Sequence, residues 1–524
     1  MKDRPPWHLW LAPVIVAALR ALPFLATRVT APEPGFSIAP IGYNPKDWLA
    51  YVALIREAAA TGHVALANPF TTMPQDGRYV LLFQDALGLV VRWTGLDPFV
   101  VLELSRIPLL ALMFAALWRV TGVVLADRRQ RVLACWLVAL SGGFEAVVYA
   151  AFAAIPAQIQ TFVNQDLWHL QGWNTFAATY NPLWVAALAL TFWTLVPLLR
   201  SAGPAGTRDV VTLAAGFTAL FWTHPYSAIV VLAVAATRPV LGWMLDVPGG
   251  LAGAGRIALA LAPVLVANGA VAAWQSADAV YSATSGNALG PQALSPFWYP
   301  VTLGAVGFFA ARGWSQMVTD HHPARLALGA WTLAIVFLHS SSVLNGYHFV
   351  FQLYPPVCLA AAPALLRTAD RQRALPWGAV RVLALAVLLF QSAITLTSRC
   401  VGAIATHRVR TDGMQAIALL HDRPLGNVLA PPDLANYVPA YTPHRVYVGH
   451  WFMTPGYAEK TRQAIAALSG QLSPDALAAL VDAERIRYLV TTATIAPSLA
   501  QQLGGRVEAT LPAGQYAVVA LRGG

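Results

Sequence analysis

Charge is what this sequence has least of. Only 11% of its 524 residues are Asp, Glu, Lys or Arg, against about 25% in an average soluble domain. With 57% hydrophobic residues and a mean hydropathy of +0.55, one soluble globule of this length could not cover its surface, and disorder needs the opposite composition. Lysine is nearly missing. Lys2, Lys46 and Lys460 are the only three, so arginine carries the net charge of +10. These arginines stand singly or in pairs beside apolar runs and form no basic face on a soluble element, so no nucleic-acid partner is expected. Three cysteines, Cys135, Cys358 and Cys400, are too few for a disulfide framework. There is no Cys-x-x-Cys pair, no cysteine-based zinc motif, no Gly-x-x-x-x-Gly-Lys loop and no Rossmann glycine fingerprint.

What is there is a series of apolar runs near the length that crosses a bilayer, about 20 residues. They lie at 7–27, 98–124, 132–153, 182–200, 209–223, 225–245, 256–275, 297–312, 325–340, 347–366 and 378–397. The first carries Arg20 and lacks a small-x-small cleavage site, so it reads as a retained span, not a signal peptide. With Lys2 and Arg4 in the cytoplasm, later arginines such as Arg128, Arg129, Arg131, Arg200 and Arg208 also fall inside. Residues 28–97, 154–181, 276–296 and the tail then lie outside. Residues 79–93, YVLLFQDALGLVVRW, hold Asp85 and Arg92 in a short run and read as an interfacial helix.

From about residue 399 the pattern changes. Strand-like runs at 427–430, 446–449, 488–491 and 516–521 alternate with helical stretches at 456–468 and 474–483. The expected fold is an all-α polytopic membrane domain over 1–398, with about 11 transmembrane helices and outer loops 28–97 and 154–181. A small extracytoplasmic α/β domain over 399–524 follows it.

The first outer loop contains YNPKDWLAYVALIREAAATGHVALANPFTT. A loop this long is usually functional or disordered, and this one carries helical spacing from Asp47 onward. Asp47 can be read as a helix N-cap, favoured there by the dipole. It can equally be read as an exposed carboxylate placed at the membrane surface to take a proton from an acceptor hydroxyl.

One span, a long outer loop whose acidic residue opens a helix, a Gly62-His63 turn and a second interfacial helix: this order resembles the GT-C superfamily of membrane glycosyltransferases. The segment NPFTTMPQDGRYVLLFQDALGLVVRWTGLDP resembles the loop and interfacial helix of bacterial members. The tail motif APPDLANYVPAYTPHRVYVGHWFMTP resembles that of a bacterial GT-C-like group. The resemblance implies an inverting transfer of a sugar from a polyprenyl-phosphate carrier to a lipid, glycan or protein acceptor. The reaction would run on the outer face of a bacterial cytoplasmic membrane, in contact with membrane lipids. It also implies catalytic carboxylates at Asp47 and, in the second outer loop, Asp166. The paired acid common beside the first carboxylate in that superfamily is replaced here by Lys46 and Trp48.

Around Asp166 stand Asn164, Gln165, His169, Trp168 and Trp173, a mixture that suits a sugar as well as an interfacial aromatic belt. Asp166 and His169 could share a helical face and hold a divalent cation, the one cofactor the resemblance leaves room for; a helix-end interaction is the plainer reading. His224 in WTHPY and His348 in NGYH occupy outer turns. His224 is a turn residue or a lining of the carrier pocket, and His348 stands where the resemblance implies a basic residue meeting the carrier phosphate. Arg106, inside a span, is a further candidate for the carrier phosphate, or an ion-pair partner of Glu103. His450 and Trp451 close a strand-like run, where they pack in an aromatic cluster or touch the acceptor. The implied site therefore combines Asp47 and Asp166 with His63, His169, His224, His348, Arg106, His450 and Trp451 as substrate-binding residues. Two other classes are weighed against it. A transporter should show repeated halves and polar residues at the midplane, whereas here the polar residues gather at the outer surface and no inverted repeat is visible. A non-catalytic GT-C-like protein would account for the missing paired acid.

Overall fold

The computed structural model describes residues 4–30, 33–38, 44–142, 179–200, 206–245, 250–285, 299–319, 323–341, 346–371, 389–390, 392–397, 399–404 and 407–522. The chain falls into two compact units. One comprises residues 1–23, 104–269 and 289–401, and the other 24–103, 270–288 and 402–524. A single cut at residue 399 therefore does not separate them. The tail's unit also contains most of the first outer loop and the segment after residue 270.

The first unit is helical. Its described elements include α1 (Leu11–Val29), α4 (Pro98–Val124) and α5 (Arg128–Leu140), numbered along the chain. Helices Pro182–Arg200, Thr207–Thr223, Pro225–Met244, Gly250–Ser276, Tyr299–Thr319, Pro323–Ser340 and Tyr354–Arg371 follow. Five helices among the described residues are long and apolar enough to cross a membrane: Trp7–Val29, Pro98–Val124, Pro182–Arg200, Pro225–Met244 and Gly253–Ser276. Ala324–Ser340 is apolar but shorter. The run expected at 132–153 begins as α5, whose N-cap Asp127 accepts the Arg129 N–H; its remainder, like most of 378–397, lies outside the described residues.

The interior of this unit is closed by large side chains, with Phe192 edge-on to Trp331 at 6.0 Å. Helix Tyr299–Thr319 turns at Gly304, whose φ of 49° is open to glycine and strained for other residues. Gly313 lets it approach Tyr354–Arg371 closely, for a Cβ there would fall 1.9 Å from the Ala360 carbonyl oxygen. The outward faces are apolar: Phe337 is 73% and Val266 74% exposed. Faces of that kind are covered by lipid or by a partner.

The second unit joins segments far apart in sequence. Strand β1 (Phe36–Ile38) pairs antiparallel with β4 (Arg408–Arg410), so the segment after the first helix is hydrogen-bonded to the start of the tail. Strands β2 (Ala65–Leu66) and β3 (Tyr79–Val80) form a small hairpin. The tail holds a five-stranded sheet in the order β6 (Arg445–Val446), β5 (Asn427–Leu429), β7 (Ile486–Thr492), β9 (Tyr516–Leu521), β8 (Val507–Ala513). The first three strands run parallel and the last two pairings are antiparallel. Every residue of β9 is buried, as a central strand covered on both faces requires. β8 alternates between exposed and half-buried positions, as an edge does.

Two helices of the first outer loop belong to this unit, α2 (Pro45–Thr61) and α3 (Leu82–Thr94). Trp48, Leu49, Val52, Leu54 and Ile55 of α2 are all buried, so the mixed apolar spacing reflects burial on more than one face. α3 reaches α2 at Gly88, where a Cβ would lie 2.4 Å from the Ala58 Cβ. The other face of α3 is apolar and open, with Trp93 77% exposed.

Asp85, in the first turn of α3, is buried. Its Oδ2 accepts the Leu81 N–H at 3.3 Å, and its Oδ1 has no partner among the described residues. Burial pushes its pKa up to about 7 from 3.8, only partly opposed by the Leu81 hydrogen bond. The folded state thus holds a proton that the unfolded chain releases above pH 3.8. Stability contributed at this site falls as pH rises from about 4 to about 7, and the penalty is complete above that. Asp85→Asn is expected to raise stability at pH 8 by about 1–3 kcal/mol and to leave it unchanged at pH 4, as read by chemical unfolding in detergent. An equal gain at both pH values would contradict the buried-carboxyl assignment.

Candidate functional site

Asp47 is not the N-cap of α2. Asn44 holds that position, Pro45 opens the helix and Asp47 is its third residue. Asn44 does not cap the backbone with its side chain. Its Nδ2 donates to Asp47 Oδ2 at 2.7 Å. The other oxygen, Oδ1, lies 3.0 Å from Nε2 of His450, a residue 403 positions away in the sequence. A carboxylate can only accept, so Nε2 carries the hydrogen and donates it. The other ring nitrogen, Nδ1, is buried without a partner among the described residues. The His450 side chain is 6% exposed and that of Asp47 35%. The imidazole is thus held inside, while the carboxylate remains reachable.

The loop carrying His450 is fixed against the first outer loop by a set of hydrogen bonds within this unit. Val446 N–H donates to Pro69 O at 3.0 Å. Asn68 Nδ2 donates to Met453 O at 2.6 Å, and Thr454 Oγ1 to Phe70 O at 2.9 Å. Met453 and Thr454 N–H groups return to the His450 carbonyl at 3.0 and 2.9 Å. Gly449 permits the closest approach, since a Cβ there would fall 2.7 Å from Phe70 Cδ1. Phe70 and Trp451 flank the imidazole, each with its ring 5.9 Å from that of His450. Trp451 is half-buried. His63, expected near this site, is exposed beside the left-handed Gly62, and no described hydrogen bond or ring contact joins it to the pair.

The remaining described candidates belong to the first unit. His224 sits between two helices, closing Thr207–Thr223 and preceding Pro225 at the start of the next. It is buried, and its Nδ1 lies 2.8 Å from Ser227 Oγ, which also accepts from Gln352 Nε2. His348 stacks on Tyr226 with ring centroids 4.1 Å apart and lies 6.3 Å from His224. The two histidines expected from separate turns are therefore neighbours. Arg106 is buried, and its guanidinium donates to the carbonyls of Thr179 and Tyr180 at 2.8 and 3.5 Å. Arg20 donates to the same Thr179 carbonyl at 3.1 Å, and both Arg20 and Arg399 lie over the Tyr180 ring. This arginine cluster was legible only in part. Arg20 and Arg106 interrupt apolar runs, the usual sign of a functional charge, whereas Arg399 sits at the edge of the tail and carried no such signal. Asp166 and His169 lie outside the described residues. Among the described residues no three His, Cys, Asp or Glu side chains gather as a metal-ligand set; Asp47 and His450 make two.

No protein-family model matches the sequence, and no curated protein matches it. Solved structures do. ArnT from Cupriavidus metallidurans bound to undecaprenyl phosphate aligns over 97% of both chains, with a TM-score of 0.52 and 14% identity. The arabinofuranosyltransferase AftD from Mycobacteria aligns over 99% of this chain and 42% of its own length, at 0.54 and 17%. The oligosaccharyltransferase AglB from Archaeoglobus fulgidus, in complex with an inhibitory peptide and a dolichol-phosphate, aligns over 94% of this chain and 70% of its own, at 0.48 and 13%. These are glycosyltransferases of the GT-C superfamily, and the likeness is one of fold.

Proposed function

We propose that this chain, built on the fold of the GT-C glycosyltransferases, is a membrane glycosyltransferase that moves a sugar from a polyprenyl-phosphate carrier to an acceptor hydroxyl or amide. The observation that carries the reading is the Asp47–His450 pair, a reachable carboxylate held on both oxygens by neighbours. Asp47 takes the proton of the acceptor as the acceptor atom attacks the anomeric carbon. The new bond to that carbon forms as the bond to the carrier phosphate breaks, and the electron pair leaves with the phosphate oxygen. One displacement inverts the anomeric centre. His450, donating to Oδ1, fixes the carboxylate's direction and steadies its charge until the proton arrives.

Within the first unit, Arg106, with Arg20 and Arg399 around the same turn, is the richest cationic cluster among the sequence candidates, and we assign it to phosphate binding. His224 and His348 are assigned to the carrier pocket, and Trp451 to the acceptor. AftD and ArnT, by their names and ligand, lend the donor class its plausibility; the sugar and acceptor stay general. In this reading the N-terminus is cytoplasmic, the tail unit is extracytoplasmic, and the exposed apolar face of α3 rests in the membrane interface.

The test is the full chain in liposomes, offered a labelled sugar either on polyprenyl phosphate or on a nucleotide. Label is expected to leave the lipid carrier and not the nucleotide. Transfer from the nucleotide alone would overturn the donor assignment.

A further inference from the structure

The first unit contains a cavity of about 870 Å³ that has no part in the reaction above. Five arginines line it, Arg4, Arg119, Arg131, Arg200 and Arg208, against a single carboxylate, Asp209. That carboxylate lies 3.9 Å from Arg200. Two of the guanidiniums are held in place by tryptophans on the wall. Arg119 lies over Trp193 at 4.1 Å and Arg131 over Trp118 at 4.0 Å. Arg131 is buried, and Gly122 makes the room for it, since a Cβ there would fall 2.7 Å from its guanidinium. Arg131 is thus fixed by packing inside the cavity, while Arg4, Arg119, Arg200 and Arg208 are exposed around it.

Position decides what such a cavity meets. Arg119 lies thirteen residues beyond Arg106 on α4, about 20 Å along the helix axis. The cavity thus stands at the other end of this unit's helices from the Arg106 cluster. Its lining includes Arg4, Arg131, Arg200 and Arg208, the residues whose bias places that end in the cytoplasm. Trp10 and Trp193 are 43% and 40% exposed at its rim, the placement of an aromatic belt at the headgroup level. A basic pocket between helices at this depth matches an anionic headgroup, with guanidiniums forking onto phosphate oxygens and tryptophans against glycerol and acyl carbons.

We propose that this cavity binds the phosphate headgroup of an anionic membrane lipid in the cytoplasmic leaflet. The inference needs the chain to be embedded in a membrane and does not need it to transfer a sugar, so either can fail alone. The same guanidiniums would also take free phosphate, and the experiment separates the two sources.

The full chain is purified in a zwitterionic detergent and titrated with phosphatidylglycerol or phosphatidylcholine, with bound lipid counted by native mass spectrometry. Wild type is expected to retain phosphatidylglycerol selectively. Arg119→Gln combined with Arg208→Gln should weaken that binding on the order of 30-fold, while Arg119→Lys with Arg208→Lys keeps most of it. Millimolar inorganic phosphate should not displace the lipid. Equal phosphatidylglycerol binding by wild type and the glutamine variant would overturn the proposal, as would full displacement by inorganic phosphate. Should the glutamine variant fail to fold, Trp193→Leu, which removes the support under Arg119, gives the same comparison. Unchanged lipid selectivity in Trp193→Leu counts against the site.

Discussion

Asp47→Asn is expected to lower glycosyl transfer on the order of 10²–10⁴-fold, the usual contribution of a positioned proton acceptor, while the protein still folds and inserts. The structural reason for the second half is local. Asparagine keeps one oxygen, enough for either the Asn44 amide or the His450 N–H but not both, and the loss of the second contact together with the charge costs about 1–3 kcal/mol. A loss of two orders or more in transfer therefore cannot be charged to unfolding. Asp47→Glu retains the carboxyl but moves it by one methylene, and a displacement of about 1 Å can itself reduce the rate about 10²-fold. The order expected is wild type, then Glu, then Asn, measured as initial rates at saturating donor in proteoliposomes with expression and detergent-extracted stability as controls.

His450→Ala is expected to lower kcat on the order of 10²-fold with little change in the acceptor KM. His450 is a positioning residue. Its Nε2 holds one Asp47 oxygen, and its main chain closes the turn with Met453 and Thr454, so removing the ring frees the carboxylate without dismantling the loop. His450→Gln offers an N–H from a side-chain amide and should recover part of kcat. A merely structural imidazole would give the opposite pattern: Gln and Ala alike in rate, and both lowered in stability.

The helices of the first unit were largely legible because a helix long and apolar enough to cross a membrane leaves an unmistakable run, as in Pro182–Arg200 and Pro225–Met244. In the tail, the helical stretches 456–468 and 474–483 emerge as Tyr457–Leu468 and Pro474–Ala483, and the strand runs near 427, 446, 488 and 516 all enter one sheet. Strand β8 was not anticipated. Its sequence VEATLPA carries Glu508 and Pro512, which an edge position tolerates and a central strand does not. The β1–β4 pair could not be read at all, because three residues at 36–38 give no periodicity and their partner lies at 408–410. The same holds for the site. Asp47 and His450 could each be singled out by residue type and setting, but their contact arises from tertiary packing through Asn68, Phe70 and Gly449. Asn44 as a carboxylate partner was hidden because asparagine before Pro45 reads simply as a helix start.

The most direct measurement is a double-mutant cycle between Asp47→Asn and His450→Ala, followed as polyprenyl phosphate released from a labelled donor in proteoliposomes. If the pair acts as one unit, the two losses do not multiply, and the double variant turns over no more slowly than Asp47→Asn alone. Near-wild-type release by Asp47→Asn, or losses that multiply fully, would show that the carboxylate and imidazole do not form the reaction centre.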